Sequence, residues 1–208
     1  AVREAGLWQA ASLVEEDGGA YFHTAYLLNP NGEVAGTYRK THLNDTEQRW
    51  ATAGDDLPVF ETDVGVLGMF IGDEVWVPEV PRVLSLKGAE ILLHPCAWMS
   101  REEMQVAAVE RGEESKVHVL SANRLDSKAP YGSQIVSPDF PFFGQPIAMQ
   151  RMPMAYTTRY GFEEELIMDI DRRTAQSKMM GLYLDCLEKR VPSIYHIISD
   201  ETMAAQAG

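Results

Sequence analysis

The chain has 208 residues, of which 45% are hydrophobic and 24% are charged, and its formal net charge is −13 at pH 7. The composition is typical of a globular protein, and the negative charge argues against a surface for nucleic acid or for an anionic membrane. No stretch approaches the roughly 18–20 apolar residues of a membrane span, no signal peptide is visible, and two cysteines are too few for a disulfide framework, so we predict a cytoplasmic protein.

The first third of the chain predicts strands. Residues 7–14 form an apolar segment that predicts a strand. Segments 20–28 and 33–39 flank a run of turn-forming residues at 29–32, Asn-Pro-Asn-Gly, which predicts a β-hairpin. Lys40 directly follows the second strand of this hairpin, and a polar loop leads from it to the next apolar segment.

That next segment ends at an unusual position. The apolar run 66–71 predicts a buried strand, which stops at Gly72, and Pro78 and Glu79 then favour the start of a helix. A strand that ends in a sharp elbow before a helix is where α/β hydrolytic enzymes place a nucleophile. Here the elbow residue has no side chain, although glycine suits a tight turn because positive φ costs it little.

The rest of the chain alternates between helices and strands. Gly88 is a predicted C-cap, and Ser100 with Glu103 forms a predicted capping box at a helix start. The alternation predicts an α/β layered domain. The predicted elements are a helix at 79–87, a strand at 89–94, a helix from 100 to about 115, strands at 117–122 and 133–137, a loop at 138–160, a strand at 162–170 and a helix at 174–189.

The motifs around the elbow occur in a recognisable order. The elbow lies within the pattern G-x-x-G-x-x-I-G-x-E-x-x-x-P-E-x-x-R, which begins at Gly65 and ends at Arg82. Further segments precede and follow it, namely Tyr38–Leu43, Lys87–Trp98, Asn123–Arg124, Gly132–Ser133 and Arg190–Tyr195. Together these segments resemble the nitrilase (carbon–nitrogen hydrolase) superfamily over nearly the whole chain. That family carries a catalytic Cys at the position of Gly72 and an Asp at the position of Glu74.

The resemblance implies an architecture and an assembly. It implies one domain over residues 1–208 with the α-β-β-α sandwich of the family, which has four layers. The first segment of the family domain, with one catalytic Glu, has no counterpart here, so we predict a domain that is incomplete at its N-terminus. The resemblance further implies a homodimer or a higher oligomer, with the C-terminal helix and tail at 174–208 in the contact, and it implies no cofactor and no metal.

The resemblance also implies a reaction and a site. The family hydrolyses non-peptide amides, carbamoyl compounds or nitriles with Cys, Glu and Lys, and it places the Lys at Lys40 and a second Glu near Glu47. From the residues alone, Lys40 can stabilise an oxyanion or be a surface lysine, and Glu47 can orient Lys40 or be a solvated loop residue. Because Gly72 offers no nucleophile, we predict a catalytically inactive homologue that binds a small molecule.

Two alternatives keep an activity open. Asp73 and Glu74 flank the elbow and could activate a water as general bases, although carboxylates more often cap helices or face solvent. Cys96 follows the next strand and could substitute as nucleophile with His94 on the same face, although a buried cysteine is usually an inert apolar group.

Two aromatic residues could form walls of the pocket. Trp98 and Tyr131 lie on loops after strands, and Trp98 suits the core equally well. The remaining histidines show no metal-ligand spacing.

A further alternative involves no catalysis. The chain could also be a non-enzymatic ligand-binding or interaction module within a longer protein.

Overall fold

The computed structural model describes residues 2–124, 131–138, 154–179 and 184–200. These residues build two β-sheets and a layer of helices. None of the helices in the described ranges combines the length and the apolar character that crossing a membrane requires.

The smaller sheet is antiparallel and has three strands in the order β1-β2-β3. The predicted hairpin is confirmed: the Asn29 side chain accepts hydrogen bonds from the N–H groups of Asn31 and Glu33, at 2.9 and 3.0 Å, and so closes the turn. Gly32 has a φ of +77°, a value that favours glycine. The three strands are β1 (Gln9–Asp17), β2 (Ala20–Leu28) and β3 (Val34–Arg39). A four-residue helix, α1 (Val2–Ala5), precedes them.

The larger sheet has six strands in the order β4-β5-β6-β7-β8-β9. Its three central strands are parallel and the outer pairings are antiparallel. The parallel strands are joined by helical crossovers, as parallel pairing requires. The six strands are β4 (Val59–Thr62), β5 (Gly65–Met69), β6 (Ile91–Cys96), β7 (His118–Asn123), β8 (Gln134–Ser137) and β9 (Met154–Thr157).

The two crossover helices begin and end largely where the sequence predicts. Helix α2 (Glu79–Leu86) is followed by Gly88, whose φ is +98°. The capping box is present, because the N–H of Glu103 donates to Ser100 Oγ at 3.3 Å and the N–H of Ser100 donates to Glu103 Oε2 at 3.2 Å. A π-helical turn (Glu103–Ala107) then runs into α3 (Ala108–Ser115), and this turn was not predicted.

Two apolar clusters hold these layers together. One lies between the helices and the six-stranded sheet and includes Val80, Leu84 and Met104. The other lies between the two sheets and includes Leu27, Tyr38 and Met69. The α/β class and the packed pair of sheets are therefore confirmed. The described residues supply three layers of the predicted four.

The predicted strand at 162–170 is wrong, and the predicted loop at 138–160 contains a strand. The free edge of β8 pairs with β9, while residues 162–170 have no regular structure. Arg159 donates to Glu164 through its N–H at 2.7 Å and through Nε at 2.6 Å, which closes a turn. Neighbouring carboxylates at 163–165 and an 87% exposed Ile167 also disfavour a buried strand. Residues 139–153 lie outside the described ranges.

The predicted helix at 174–189 is also wrong. A single turn, α4 (Arg173–Gln176), is followed by an extended Ser177, and Met179 pairs with Asp185 in an isolated bridge. Just after this turn, Lys178 Nζ donates to the carbonyl oxygen of Lys116 at 2.8 Å and to Ser85 Oγ at 3.1 Å, contacts that compete with a continuing helix. The carbonyl of Lys116 lies at the C-terminal end of α3, where a cation is favourable. Residues 180–183 and 201–208 lie outside the described ranges.

Candidate active site

The elbow after β5 is a tight turn with room at its corner. Gly72 opens a single 3₁₀ turn (Gly72–Trp76) and has a φ of +55°, in the left-handed region that only glycine adopts without strain. A Cβ placed on Gly72 would meet no atom within 4 Å among its surroundings. The glycine therefore relaxes the backbone and is not required by crowding.

Lys40 is buried beside this elbow and paired with two carboxylates. It follows β3, where its N–H donates to the carbonyl of His23 at 2.8 Å. Its residue surface is only 1% exposed, and its Nζ donates to both Glu47 Oε2 and Asp73 Oδ1. The predicted Lys40 and Glu47 thus meet, and the structure adds Asp73 as the second anionic partner.

Glu47 is held from three sides. Its Oε1 lies 2.8 Å from His23 Nδ1, and its Oε2 accepts from the N–H of Asn44 at 3.0 Å as well as from Lys40. Burial pushes the pKa of Glu47 upward, but the hydrogen bonds from His23, Lys40 and Asn44 outweigh it and lower the pKa to about 2. Glu47 is therefore a carboxylate that fixes Lys40.

Sequence reasoning missed His23 and Asn44. Asn44 caps the turn that carries Glu47, because its Oδ1 accepts from the N–H of Glu47 at 3.0 Å, and its Nδ2 donates to Asp73 Oδ2 at 2.8 Å. An Asn three residues before a Glu is a capping signal that could have been used. His23 reaches Glu47 across the sheet, a contact with no local signal in the sequence.

Asp73 and Glu74, which the sequence placed together, have different environments. Asp73 has a side chain that is 31% exposed and lies at the surface of the cluster. Glu74 is fully buried: it accepts from the Ile71 N–H at 2.8 Å and from Tyr38 Oη at 2.5 Å. It also accepts from the N–H groups of Thr41 and His42 at 3.2 and 3.1 Å.

These contacts give Glu74 a structural part. Burial raises the pKa of Glu74, but hydrogen bonds from His42, Tyr38 and the backbone outweigh it, so the pKa lies below its usual value. Glu74 joins the start of the elbow turn to the loop after Lys40. Its lone pairs are occupied by the protein, which leaves Asp73 as the carboxylate of this pair that a ligand or a water can reach.

His94 contacts the elbow from the opposite side. This buried residue of β6 has Nε2 at 2.8 Å from the carbonyl oxygen of Gly72 and Nδ1 at 3.0 Å from Ser121 Oγ. Its ring stacks on Phe70 at 4.1 Å between centroids and meets the edge of Trp98 at 5.2 Å. Burial lowers the pKa of His94 to about 4, so its imidazole is neutral at physiological pH.

The structure separates Cys96 from the Lys40 cluster. Cys96 is 6% exposed and belongs to the apolar cluster between the helices and the six-stranded sheet, whereas Lys40 comes from the other sheet. The Sγ of Cys96 donates to the carbonyl of Ala122 at 3.5 Å. Burial raises the pKa of the Cys96 thiol well above its usual value, which is the opposite of activation.

The two aromatic candidates pack near Cys96. Trp98 is fully buried in the same cluster and donates through Nε1 to the carbonyl of Gly132 at 3.1 Å, so its surroundings match the core alternative. Tyr131 is partly buried against that cluster and meets Tyr160 edge-on at 5.6 Å.

The described residues also contain a cleft, which lies apart from the Lys40 cluster. This cleft of about 250 Å³ does not include Lys40, Gly72 or Asp73; it is lined by Leu120, Ser121, Ala122, Ser133, Gln134, Ile135, Glu164 and Leu166. Within the described ranges, no group of three or more His, Cys, Asp or Glu side chains is arranged to hold a metal ion.

Comparisons with known proteins bear on this arrangement. The sequence profile described as carbon-nitrogen hydrolase matches residues 1–157. A probable nitrilase from Schizosaccharomyces pombe is 32% identical over 130 residues, which are 60% of this chain and 48% of that protein. A citrullinase from Francisella tularensis is 30% identical over 148 residues, which are 61% of this chain and 52% of that protein. The chain thus spans about half the length of these two relatives.

Solved structures show the same fold. A carbon–nitrogen hydrolase from Helicobacter pylori G27 superimposes with a TM-score of 0.75 at 23% identity, covering 96% of this chain and 73% of that chain. A mutant amidase from Nesterenkonia sp. AN1, described as showing Michael addition of acrylamide at the active-site cysteine, gives a TM-score of 0.60 at 23% identity. That match covers 66% of this chain and 57% of the amidase.

Proposed function

Because the chain belongs to the carbon–nitrogen hydrolase family, we propose that it binds a small amide, carbamoyl compound or nitrile at the Gly72 elbow and does not hydrolyse it through a thiol. The observation that carries this proposal is the corner of the elbow. Gly72 adopts a φ of +55° with open space at the Cβ position, next to an intact and buried Lys40.

The chemistry of the site supports ligand binding without covalent catalysis. Hydrolysis through a covalent intermediate needs a nucleophile, a base and a group that stabilises negative charge. Lys40 and Glu47 supply a cation and a carboxylate, but Gly72 supplies no nucleophile. Loss of a nucleophile lowers the rate by about 10⁴–10⁶.

Cys96 does not fill this gap. A nucleophilic cysteine reacts as the thiolate, and positive charge or hydrogen-bond donors lower its pKa. Cys96 instead lies among apolar side chains, with Glu103 as a nearby charge that raises the pKa of the thiol further.

A second candidate function rests on Asp73. This carboxylate is one residue from the elbow, is partly exposed and is held by Lys40 and by Asn44. In that position it can accept a proton from a water that attacks the ligand, so water-based hydrolysis is the activity that competes with our proposal. Lys40 and Asn44 already donate to the two oxygens of Asp73, which is why we place this reaction second.

The test is to restore the thiol. We expect the wild-type protein to give background turnover on short amides, carbamoyl compounds and nitriles, and a Gly72→Cys variant tested in a protein that also carries the first catalytic Glu of the family to give turnover that iodoacetamide abolishes. The φ of Gly72 strains any side chain, but the open space at the corner accommodates the sulfur.

Gly72→Ala is the matched control, because it introduces the same backbone strain without a thiol. Turnover by the wild-type protein that is lost in both Lys40→Ala and Asp73→Asn would contradict the proposal and establish the water mechanism. A folded Gly72→Cys variant that also carries that Glu and still has no activity on any of these compounds would contradict the assignment of Gly72 as the vacant nucleophile position.

A further inference from the structure

His94 lies outside the Lys40 cluster, and its ring connects the elbow to the neighbouring strand. It is 1% exposed, its Nε2 reaches the carbonyl of Gly72 and its Nδ1 reaches Ser121 Oγ. Stacking on Phe70 and the edge contact with Trp98 prevent rotation of the ring. Both ring nitrogens of a fixed imidazole are thus engaged.

These contacts determine the tautomer. A carbonyl oxygen can only accept a hydrogen bond, so Nε2 must carry the proton that it donates to Gly72. Since the buried ring is neutral, with a pKa lowered to about 4, Nδ1 has a lone pair and accepts from the Ser121 hydroxyl. Ser121 therefore selects the tautomer that binds the elbow.

The bond to Gly72 orients more than one atom. The carbonyl of Gly72 and the N–H of Asp73 belong to one planar trans peptide, so they point in opposite directions. His94 approaches from the helix side of the sheet, where Phe70 and Trp98 lie. The N–H of Asp73 is therefore directed to the other side, where the Asp73 side chain meets Lys40.

We propose that His94, held by Ser121, is a positioning residue that fixes the Gly72–Asp73 peptide and so directs the Asp73 N–H and the open corner of the elbow toward the ligand. This inference rests on the proposed function for the identity of the ligand. The geometry of the peptide itself does not depend on that function.

The first experiment measures the peptide without a ligand. His94→Phe keeps a ring between Phe70 and Trp98 but removes the donor, whereas His94→Gln retains a side-chain N–H at a similar reach. We expect the ¹H–¹⁵N resonance of the Asp73 amide to shift in His94→Phe and to return toward the wild-type position in His94→Gln. An Asp73 resonance that is the same in wild type and His94→Phe would overturn the proposal.

A second variant keeps the test decisive if His94→Phe does not fold. In the wild-type protein, ¹⁵N imidazole shifts should show a neutral ring protonated at Nε2 at pH 7. Ser121→Ala should introduce the Nδ1-protonated form and move the Asp73 amide in the same direction as His94→Phe. A wild-type ring protonated at Nδ1, or a Ser121→Ala spectrum identical to wild type, would overturn the proposal.

A ligand titration distinguishes the role of His94 from the proposed function. Butyramide, a short neutral amide, is titrated into each variant. We expect His94→Phe to weaken its affinity about tenfold, as loss of one well-formed hydrogen bond predicts, and His94→Gln to recover most of the loss. If wild type binds no butyramide, carbamoyl compound or nitrile, the proposed function fails, while the Asp73 and imidazole spectra still decide the role of His94.

Discussion

Two neighbouring strands of the larger sheet end in opposite surroundings. After β5, the elbow at Gly72 faces a buried ammonium and two carboxylates and has an empty corner. At the end of β6, Cys96 is enclosed by apolar side chains and carries a thiol whose pKa is raised. One strand end therefore has a cation and two carboxylates beside a residue without a side chain, and the other has a thiol among apolar side chains.

The two environments lie on opposite faces of the larger sheet. Cys96 points toward the helices, whereas Lys40 arrives from the smaller sheet on the other face. Cys96 therefore lies among apolar side chains and Lys40 among carboxylates. We call the cluster of Lys40, Glu47 and Asp73 the charged side and the surroundings of Cys96 the apolar side. The two sides should respond differently to substitution.

The largest expected effect is loss of the buried cation. Lys40→Met leaves Glu47 and Asp73 facing each other without their shared partner, and we expect the free energy of unfolding to fall by about 3–5 kcal/mol. Urea denaturation measures this loss. The matched control is Lys87→Met, since Lys87 pairs with Asp56 at 2.9 Å on the surface and should lose less than about 1 kcal/mol. Equal losses in the two variants would contradict the assigned importance of burial.

The next effect is a dependence of stability on pH that originates at Glu47. A carboxyl group with a pKa near 2 in the folded state, against 4.5 as its ordinary value, stabilises the fold above pH 4.5 and loses this contribution as the pH falls toward 2. Between pH 6 and pH 3 the loss should be roughly 2 kcal/mol. The measurement is the difference between the unfolding curves of wild type and Glu47→Gln at each pH. If the free energies of unfolding of wild type and Glu47→Gln changed with pH by the same amount, Glu47 would not be the source of the pH dependence.

The charged side also shows how far sequence reasoning reaches. Lys40, Glu47 and Gly72 could be placed in one site through the family resemblance, whereas the residues alone left Lys40 open as a surface lysine and Glu47 open as a solvated loop residue. His23 and His94 could not be placed, because their partners are set by strand pairing across and between sheets. For Cys96, spacing along a strand does not say which face of the sheet carries the charge.

Elsewhere, the predictions fail where a tertiary contact competes with local preference. Residues 174–189 have the pattern of a helix, yet Lys178 reaches the carbonyl groups at the end of α3 and the chain leaves the helix at Ser177. Residues 162–170 look like a strand, yet β9 pairs with the edge of β8. Neither competitor can be recognised from its own segment alone.

The apolar side should give a smaller, pH-insensitive effect. Cys96→Ala removes a buried sulfur and should lower the free energy of unfolding by about 1.5 kcal/mol through the space that it leaves. Under native conditions, iodoacetamide should modify the partly exposed Cys186. It should modify Cys96 at a rate at least tenfold lower, as burial and the raised pKa of Cys96 require. Mass spectrometry distinguishes the two sites. Rapid native labelling of Cys96 would show that its side of the sheet opens to solvent.

The smallest expected effect comes from the exposed edge of the charged side. Asp73→Asn keeps one oxygen for Lys40 and places an amide near Asn44 Nδ2, so it loses one hydrogen bond and one charge. Because Asp73 is 31% exposed and Glu47 still pairs with Lys40, we expect a loss of about 0.5–1 kcal/mol by urea denaturation. Glu47→Gln, on the buried side of the same ammonium, should cost more at pH 7. If Asp73→Asn were the more damaging of the two, the stability of the elbow would depend on its solvent-facing carboxylate, and Asp73 rather than Glu47 would be the residue that fixes Lys40.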